Sequence, residues 1–400
     1  MSRHFTSWDP TTDPQAEARG FNPPRTNRLW RDVLLPRIVF PIFWVYWLLL
    51  LPAGVARRPR PATSTRLGIE SGKVGWTHVY FEELLASAQE YVGADAVEQI
   101  VIDRDRAYLP QFREWSSRLQ LTHVLLDVRT GSQTWPRALI DTLVMSWRLR
   151  RLRVTPVVVL TDASLRRHRL QAAVLTAYSG VVVTFMSSQI AAAMFPHRRI
   201  VGPMPMPVSA ARLRWLEELR AQVPSGGTPT VSFIGGAYLP RSVFLDRLAT
   251  ALEGTGVEVA IHANKYETSN DDYWRVLATS DIIITTTMQG MPRADMDWIW
   301  IQQLVFRFSE ALSAGAVLVS STVVGGDRFF APGSDFATFI SVEDAREVLV
   351  KLTSDSRERE NLRARGHATA ERLALDHTYW RVIDQELGVK RAMIAGQAVA

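Results

Sequence analysis

The chain has 400 residues, enough for two domains of ordinary size, and its 47% hydrophobic and 22% charged composition is that of a folded globular protein rather than a disordered one. It contains no cysteine, which excludes a disulfide scaffold, cysteine-ligated zinc or iron–sulfur sites, and thiol catalysis. The net charge of +6 resides in the first 66 residues, where ten arginines face four acids; the 36 basic and 36 acidic residues that follow cancel, which argues against a nucleic-acid partner read by the folded body.

Residues 1–32 are rich in Pro, Thr, Asn and Arg without apolar periodicity and read as a disordered basic arm. Residues 33–58 form a hydrophobic segment whose centre, Ile38–Ala56, runs nineteen residues without a charge. As a helix it would extend about 28 Å, close to the hydrocarbon thickness of a bilayer, with Trp44, Tyr46 and Trp47 suited to the headgroup level. Arg19, Arg25, Arg28, Arg31 and Arg37 on one side balance Arg57, Arg58, Arg60, Arg66 and Lys73 on the other, so charge sets no orientation. Such a tie suits a re-entrant or interface-lying helix, and Pro36, Pro41 and Pro52 would bend it. A cleaved signal peptide ending near Gly54-Val55-Ala56 is disfavoured by the long polar arm, and a buried core helix is the bland alternative. The expectation is contact with an anionic membrane surface, with its topology open.

From Arg66 short apolar runs alternate with helical stretches, the pattern of parallel sheets covered by helices. Residues 66–201 are expected to form one Rossmann-like domain, with strands at Leu67–Glu70, Gln99–Ile102, His123–Asp127, Val154–Leu160 and Val181–Phe185. Helices are expected at Thr77–Val92, Trp135–Arg150 and Ser164–Tyr178. Residues 202–209, with three prolines in Gly202–Val208, read as an interdomain linker. Residues 210–390 restart the pattern at Thr230–Ile234, Val257–His262, Asp281–Thr285 and Ala316–Ser320. They close with helices for which Asp355 and Asp376 are candidate caps, before a tail at 391–400. The fold class is therefore α/β: two Rossmann-like doubly wound domains facing a cleft, a natural small-molecule site, behind an N-terminal membrane-associated helix.

The run Phe306–Ser320 (FRFSEALSAGAVLVS) and the later Arg328–Phe336 (RFFAPGSDF) resemble the donor domain of GT-B glycosyltransferases, nearest to the family 4-like group that includes spore-maturation glycosyltransferases. The shared elements are Arg307, Glu310, Ala311 and Gly315; Phe330 and Gly333; and Ser341, Glu343 and Asp344, with Val231–Arg241 and Tyr273–Asp281 also fitting. The resemblance covers roughly Thr230–Tyr379. It implies a nucleotide-sugar donor, a glycan or lipid-linked acceptor and a body at the cytoplasmic face of the plasma membrane, serving cell-envelope or polysaccharide synthesis.

In such a transfer the leaving nucleoside diphosphate gains negative charge, which a metal, or cations and helix N-termini set in advance, must stabilise. No cofactor and no metal are expected here. The donor-binding candidates are Gly235, Gly236, Arg241, Lys265, Arg307, Glu310, Gly315, Gly325, Gly326 and Arg328: glycines admit backbone amides close to a pyrophosphate, and arginine grips it bidentately. The resemblance implies that Glu310 holds the ribose hydroxyls; the plain alternatives are an Arg307–Glu310 ion pair and a helix C-cap at Gly315. Many family 4 enzymes carry a glutamate eight positions before the second, where this chain has Gln302, so the stereochemistry is open.

An inverting enzyme needs a base from the first half. His78, Asp127 and Asp162 are the catalytic candidates, with Glu70 at another strand end and Lys73, Arg129, Arg166 and Arg167 as phosphate-facing residues. Asp162 serves equally as a helix cap and His78 as an ordinary helix-start residue. Asp103-Arg104-Asp105 imitates a metal-holding Asp-x-Asp motif but arrives early in the body for that fold. The serine-hydrolase elbow and the P-loop are both absent from the sequence. The rival readings are a GT-B-like membrane scaffold without chemistry and a sugar-nucleotide epimerase.

Overall fold

In a computed structural model of the chain, the described residues are 66–72, 77–103, 106–127, 135–160, 166–176, 179–186, 199–223, 227–236, 241–262, 270–289 and 301–387. The basic arm, the hydrophobic segment 38–56, the tail 391–400, and Lys73, Asp105, Arg129, Asp162 and Lys265 lie outside them.

The N-terminal half runs β1 (Leu67–Gly72), α1 (Thr77–Val92), β2 (Val97–Ile102), α2 (Tyr108–Arg118), β3 (His123–Asp127), α3 (Trp135–Leu152), β4 (Thr155–Leu160), α4 (Arg166–Leu175), β5 (Val181–Thr184) and β6 (Ile200–Val201). Its six strands are all parallel, in the order β2-β1-β3-β4-β5-β6. Alternate side chains of each strand go to opposite faces. Leu67, Ile69, Val157, Val159, Val181 and Val183 join the cluster that holds α1 and the last helix of the chain, whereas Val124, Leu126, Val158, Leu160 and Val182 join Phe112 and Trp115 of α2, Met145 and Leu149 of α3, and Leu175 of α4. A sheet buried on both faces needs such near-continuous Val/Leu/Ile runs, which is why its strands are so plain in the sequence.

The C-terminal half runs α5 (Ala210–Ala221), β7 (Val231–Ile234), α6 (Arg241–Leu252), β8 (Val259–His262), α7 (Asn270–Thr279), β9 (Ile282–Thr285), β10 (Met288–Gln289), β11 (Ile301–Gln302), α8 (Arg307–Ser313), β12 (Val317–Ser320), β13 (Ala337–Thr338), α9 (Val342–Ser354), α10 (Ser356–Leu375) and α11 (Thr378–Leu387). Its main sheet is also parallel, ordered β13-β12-β9-β7-β8, while β10 and β11 pair separately and antiparallel. Asp355 caps α10 by accepting from Glu358 N at 2.9 Å. Asp376 caps the same helix at its C-terminus, its N donating to Arg372 O at 2.9 Å.

The two sheets share one hydrophobic core. It runs from Tyr80, Leu84 and Val183 through Met204, Met206 and Val208 to Leu304, Phe308 and Tyr379. The proline-rich linker is thus buried between the halves, not an exposed spacer. Glu83 of α1 accepts from Ser209 N at 2.9 Å and Arg212 Nε at 2.8 Å, and Glu90 accepts from Ala210 N and Ala211 N, so two carboxylates complement the positive end of α5. The last helix, α11, crosses back onto the first half. Tyr379 shares a hydrogen bond with Tyr80, Trp380 Nε1 donates to Ser87 Oγ at 3.0 Å, and Tyr91 donates to Asp384 at 2.6 Å. Among the described residues, no helix is long and apolar enough to cross a membrane.

Candidate functional site

The carboxyl ends of the two sheets are tied together: Leu304 N donates to Phe185 O at 2.7 Å and Gln303 N to Thr287 O at 2.9 Å. Beside that junction β7 ends at Ile234, and the chain turns at Gly235 with φ +135°. A Cβ at Gly235 would sit 3.2 Å from Arg307 Nη2 and 4.0 Å from Arg241 Nη1, so only glycine leaves this space to the two guanidinium groups. Arg241 opens α6 and Arg307 opens α8; both side chains are buried.

Arg307 is locked in place. Its Nε donates to Ile234 O at 2.8 Å, its Nη1 reaches both Tyr273 OH and Glu310 Oε2, and its guanidinium lies over the Tyr273 ring. Tyr273 also donates to Glu310. The i, i+3 spacing puts Arg307 and Glu310 on one side of α8, and the ion pair anticipated from that spacing forms. Glu310 is 0% exposed and its Oε2 is engaged by Arg307 and Tyr273, so in this structure the carboxylate organises the arginine. Two cations and one carboxylate converge at a helix start beside a glycine turn, an arrangement that favours an anion.

The other glycine and arginine candidates are distributed more widely. Gly236 follows Gly235 in the same turn. Gly325, at φ +80° where glycine is favoured, packs tightly against Pro203 of the linker, an added Cβ falling 3.3 Å from Pro203 Cδ; Gly326 begins a short 3-10 turn. Arg328 is exposed and its guanidinium lies 4.8 Å over the neighbouring Phe329 ring. Gly315 belongs elsewhere. With φ +68° it ends α8, where Gly315 N bonds Leu312 O and Ala316 N bonds Ala311 O, at the amino edge of β12 beside Arg220. It is a helix terminator at the opposite edge of the sheet from Gly235, which corrects its reading as a donor residue.

On the facing sheet Asp127 ends β3 and Glu70 lies in β1; both are buried, and Asp127 N approaches Glu70 Oε2 at 3.4 Å. Tyr80 lies close enough for the Asp127 charge to act on it: burial first, then Tyr379, then Asp127 push the Tyr80 phenol well above its ordinary value. Burial likewise raises Tyr379. His78 occupies the first turn of α1. Asp103 is exposed at the end of β2. Among the described residues no group of three or more His, Asp or Glu side chains gathers where a metal could be held.

Two features escaped the sequence reading. Tyr273 is the hinge of the Arg307–Glu310 cluster, yet lies 34 residues from Arg307. The carboxyl ends of β9 and β12 form a hydroxyl shelf of Thr285, Thr286, Thr287, Ser320 and Ser321, where Thr287 Oγ1 meets Ser321 Oγ at 2.8 Å and Thr286 Oγ1 is buried without a hydrogen-bond partner among the described residues. The signal was available: each apolar run ends abruptly in hydroxyl residues, IIITTT and VLVSST.

Residues 241–388 match the family model described as "Glycosyl transferase-like". No curated protein sequence matches the chain. Among solved structures, Anabaena HepE in complex with UDP and glucose is similar at 12% identity, covering 80% of this chain and 99% of its own, with a TM-score of 0.52. Sucrose-phosphate synthase from Thermosynechococcus elongatus is similar at 10% identity, covering 82% and 98%, with a TM-score of 0.53. The two parallel sheets are thus the fold of GT-B glycosyltransferases, and together with the matched domain they support glycosyl transfer as the chemistry of this chain.

Proposed function

We propose that the chain moves a sugar from a nucleotide-sugar donor, seated against the carboxyl edge of the C-terminal sheet, to a glycan or lipid-linked acceptor brought by the N-terminal half. The observation that carries this reading is the convergence of Arg241 and Arg307 on the Gly235 turn, which presents fixed positive charge where a leaving diphosphate becomes more negative. The solved HepE complexes hold UDP with glucose and UDP-glucose, which favours a uridine nucleotide as the first donor to test. The family 4-like resemblance of Phe306–Ser320 is part of the same proposal.

As the glycosyl–phosphate bond lengthens, the two guanidinium groups take up charge on the departing diphosphate, so no metal is required. The hydroxyls of Thr286 and Ser321 line the shelf that a donor would meet beyond Gly235. In an inverting reaction Asp127, at the end of β3, would receive the acceptor proton; Gln302 in place of a family glutamate leaves the stereochemical course to measurement. The apolar run 38–56 supports attachment to a membrane, and the family resemblance adds the cytoplasmic face and a lipid-linked acceptor to the proposal.

Calorimetric titration of the intact protein with UDP, GDP and TDP, first without and then with a divalent cation, tests this reading. Metal-independent binding of one nucleotide, lost in Arg307→Ala, is the expected result. Absence of binding by any of the three favours a scaffold that kept the fold and lost the chemistry. Binding only with metal overturns the metal-free donor site.

A further inference from the structure

Helices α2, α3 and α4 cover the face of the N-terminal sheet that is turned away from the shared core, and α3 packs against both of its neighbours. Its buried side carries Met145 and Leu149. Its outward side carries Ile140, Leu143, Val144 and Trp147 and then Arg151, at the three- and four-residue steps that keep them on one stripe. Ile140 is 59% and Trp147 47% exposed, Leu143 and Val144 are half-buried, and the Arg151 guanidinium lies 5.5 Å over the Trp147 ring. Single exposed apolar residues need no explanation, but a four-residue ridge along an outer helix is a surface made to be covered.

Charge identifies what covers it. From Arg106 to Arg169 the chain has twelve arginines and four acids, Glu114, Asp127, Asp141 and Asp162. Asp127 and Asp141 are buried, while Arg106, Arg113, Arg118, Arg151 and Arg153 are exposed. Between Arg106 and Arg153 the exposed charges among the described residues are therefore five arginines against Glu114, a basic outer surface that the balanced charge of the whole body conceals. A second copy of the chain docking ridge to ridge would set these arginines against one another. An anionic lipid surface satisfies both features, apolar side chains entering the headgroup boundary and arginines meeting phosphate.

The placement of the upstream chain agrees. Arg66 enters the fold beside Thr122, its N donating to Thr122 Oγ1 at 3.0 Å, and Thr155 N donates to Thr122 O at 2.9 Å. Arg151 and Arg153, just before Thr155, thus stand at the sheet edge where the chain arrives from the hydrophobic segment. The nine residues between Ala56 and Arg66 reach about 30 Å when extended, enough for both to touch one surface.

We propose that α3 is a second membrane contact: the ridge Ile140–Trp147 inserts at the headgroup level of an anionic bilayer while Arg113, Arg118, Arg151 and Arg153 hold lipid phosphate. The proposal rests on the membrane part of the function above and is independent of the donor site. One weak contact gives marginal, reversible attachment, whereas two hold stably.

Because the chain has no cysteine, Ile140→Cys provides a unique site for an environment-sensitive fluorophore, and Ile340→Cys, 63% exposed in the other half, provides the control. Full-length protein is mixed with phosphatidylcholine vesicles with and without phosphatidylglycerol. The expected result is co-sedimentation with the anionic vesicles, a blue shift at position 140 and none at 340, and vesicle affinity weakened about tenfold or more by Arg151→Glu with Arg153→Glu. Co-sedimentation with the label at 140 still in water overturns the α3 contact and leaves the upstream segment as the anchor. No co-sedimentation at all overturns both. A blue shift without vesicles that grows with protein concentration overturns it in favour of self-association.

Discussion

The ring of Tyr80 lies flat on that of Phe306, 4.8 Å between centroids and 7° between planes. Tyr80 belongs to α1 of the N-terminal half, and Phe306 immediately precedes Arg307 at the start of α8. Phe185, at the end of β5, meets both rings edge-on, and the Tyr80 hydroxyl bonds Tyr379 at 3.0 Å. One aromatic residue therefore joins the N-terminal half, the Arg307 helix α8 and the returning C-terminal helix α11.

This contact has separable parts. Tyr80→Phe keeps the stack but strands the Tyr379 hydroxyl in a buried site, with an expected loss of about 1–3 kcal/mol. Tyr80→Ala removes the stack as well and leaves a cavity, with an expected loss of about 3–5 kcal/mol. Denaturant unfolding of the two variants measures both. If the stack also aligns α8, Tyr80→Ala weakens nucleotide binding while Tyr80→Phe leaves it unchanged.

The Arg307–Glu310 pair is buried, and removing one partner strands the other charge. Arg307→Met and Glu310→Met are each expected to lose about 3–5 kcal/mol, and the double variant less than either, because no uncompensated charge remains. Nucleotide affinity should not follow stability. Every variant lacking Arg307 is expected to bind the nucleotide at least about tenfold more weakly, including the restabilised double variant. Unfolding and calorimetry on the same four proteins separate the two roles. Equal nucleotide affinity in wild type and double variant would move the donor site away from Arg307.

Much of this architecture was plain in the sequence because parallel sheets buried on both faces demand unbroken apolar runs, and β3, β7 and β9 are found within a residue of where their Val, Leu and Ile runs place them. The two-residue strands β6, β10, β11 and β13 carry no such run, since their pairing is imposed by neighbours. The ion pair of α8 was legible because its spacing is local; Tyr273 and Tyr80 were not, because their partners lie 34 and 299 residues away. Gly315 was misread for a related reason: a positive-φ glycine after a helix looks the same whether it ends the helix or opens a phosphate turn. The summed charge of the body concealed the exposed arginines of α2 and α3 and of the turn after α3, since only the fold shows that Asp127 and Asp141 are buried.

The basic surface itself predicts solution behaviour. Arg113, Arg118, Arg151 and Arg153 are exposed, so retention on a cation exchanger should fall markedly when Arg151 and Arg153 are changed to Glu, with thermal stability nearly unchanged. A large loss of stability would mean that these arginines serve the fold rather than the surface.

Acid should unfold the protein in two stages that different residues control. Burial pushes the His123 imidazole at the start of β3 down from 6.5 to about 4, so it is neutral in the fold and takes up a proton more readily when unfolded. Its contribution is fully present above pH 6.5 and is lost as pH falls from there towards about 4, at most about 3 kcal/mol. Asp281, before β9, behaves differently. Burial alone would raise its carboxyl, but hydrogen bonds from Thr230 and Arg220 and the charges of Arg220 and Arg363 hold it below 3.8. Its contribution is present above pH 3.8 and disappears only as pH falls through the lower folded value. His123→Gln should therefore flatten the stability profile between pH 6.5 and 4 and leave the steeper loss below it. Asp281→Asn should lower stability at neutral pH and flatten the profile in the most acid range alone. Urea midpoints recorded across pH for the three proteins test both assignments; a His123→Gln profile that parallels wild type throughout would mean that the imidazole takes up its proton as readily in the fold as in the unfolded chain.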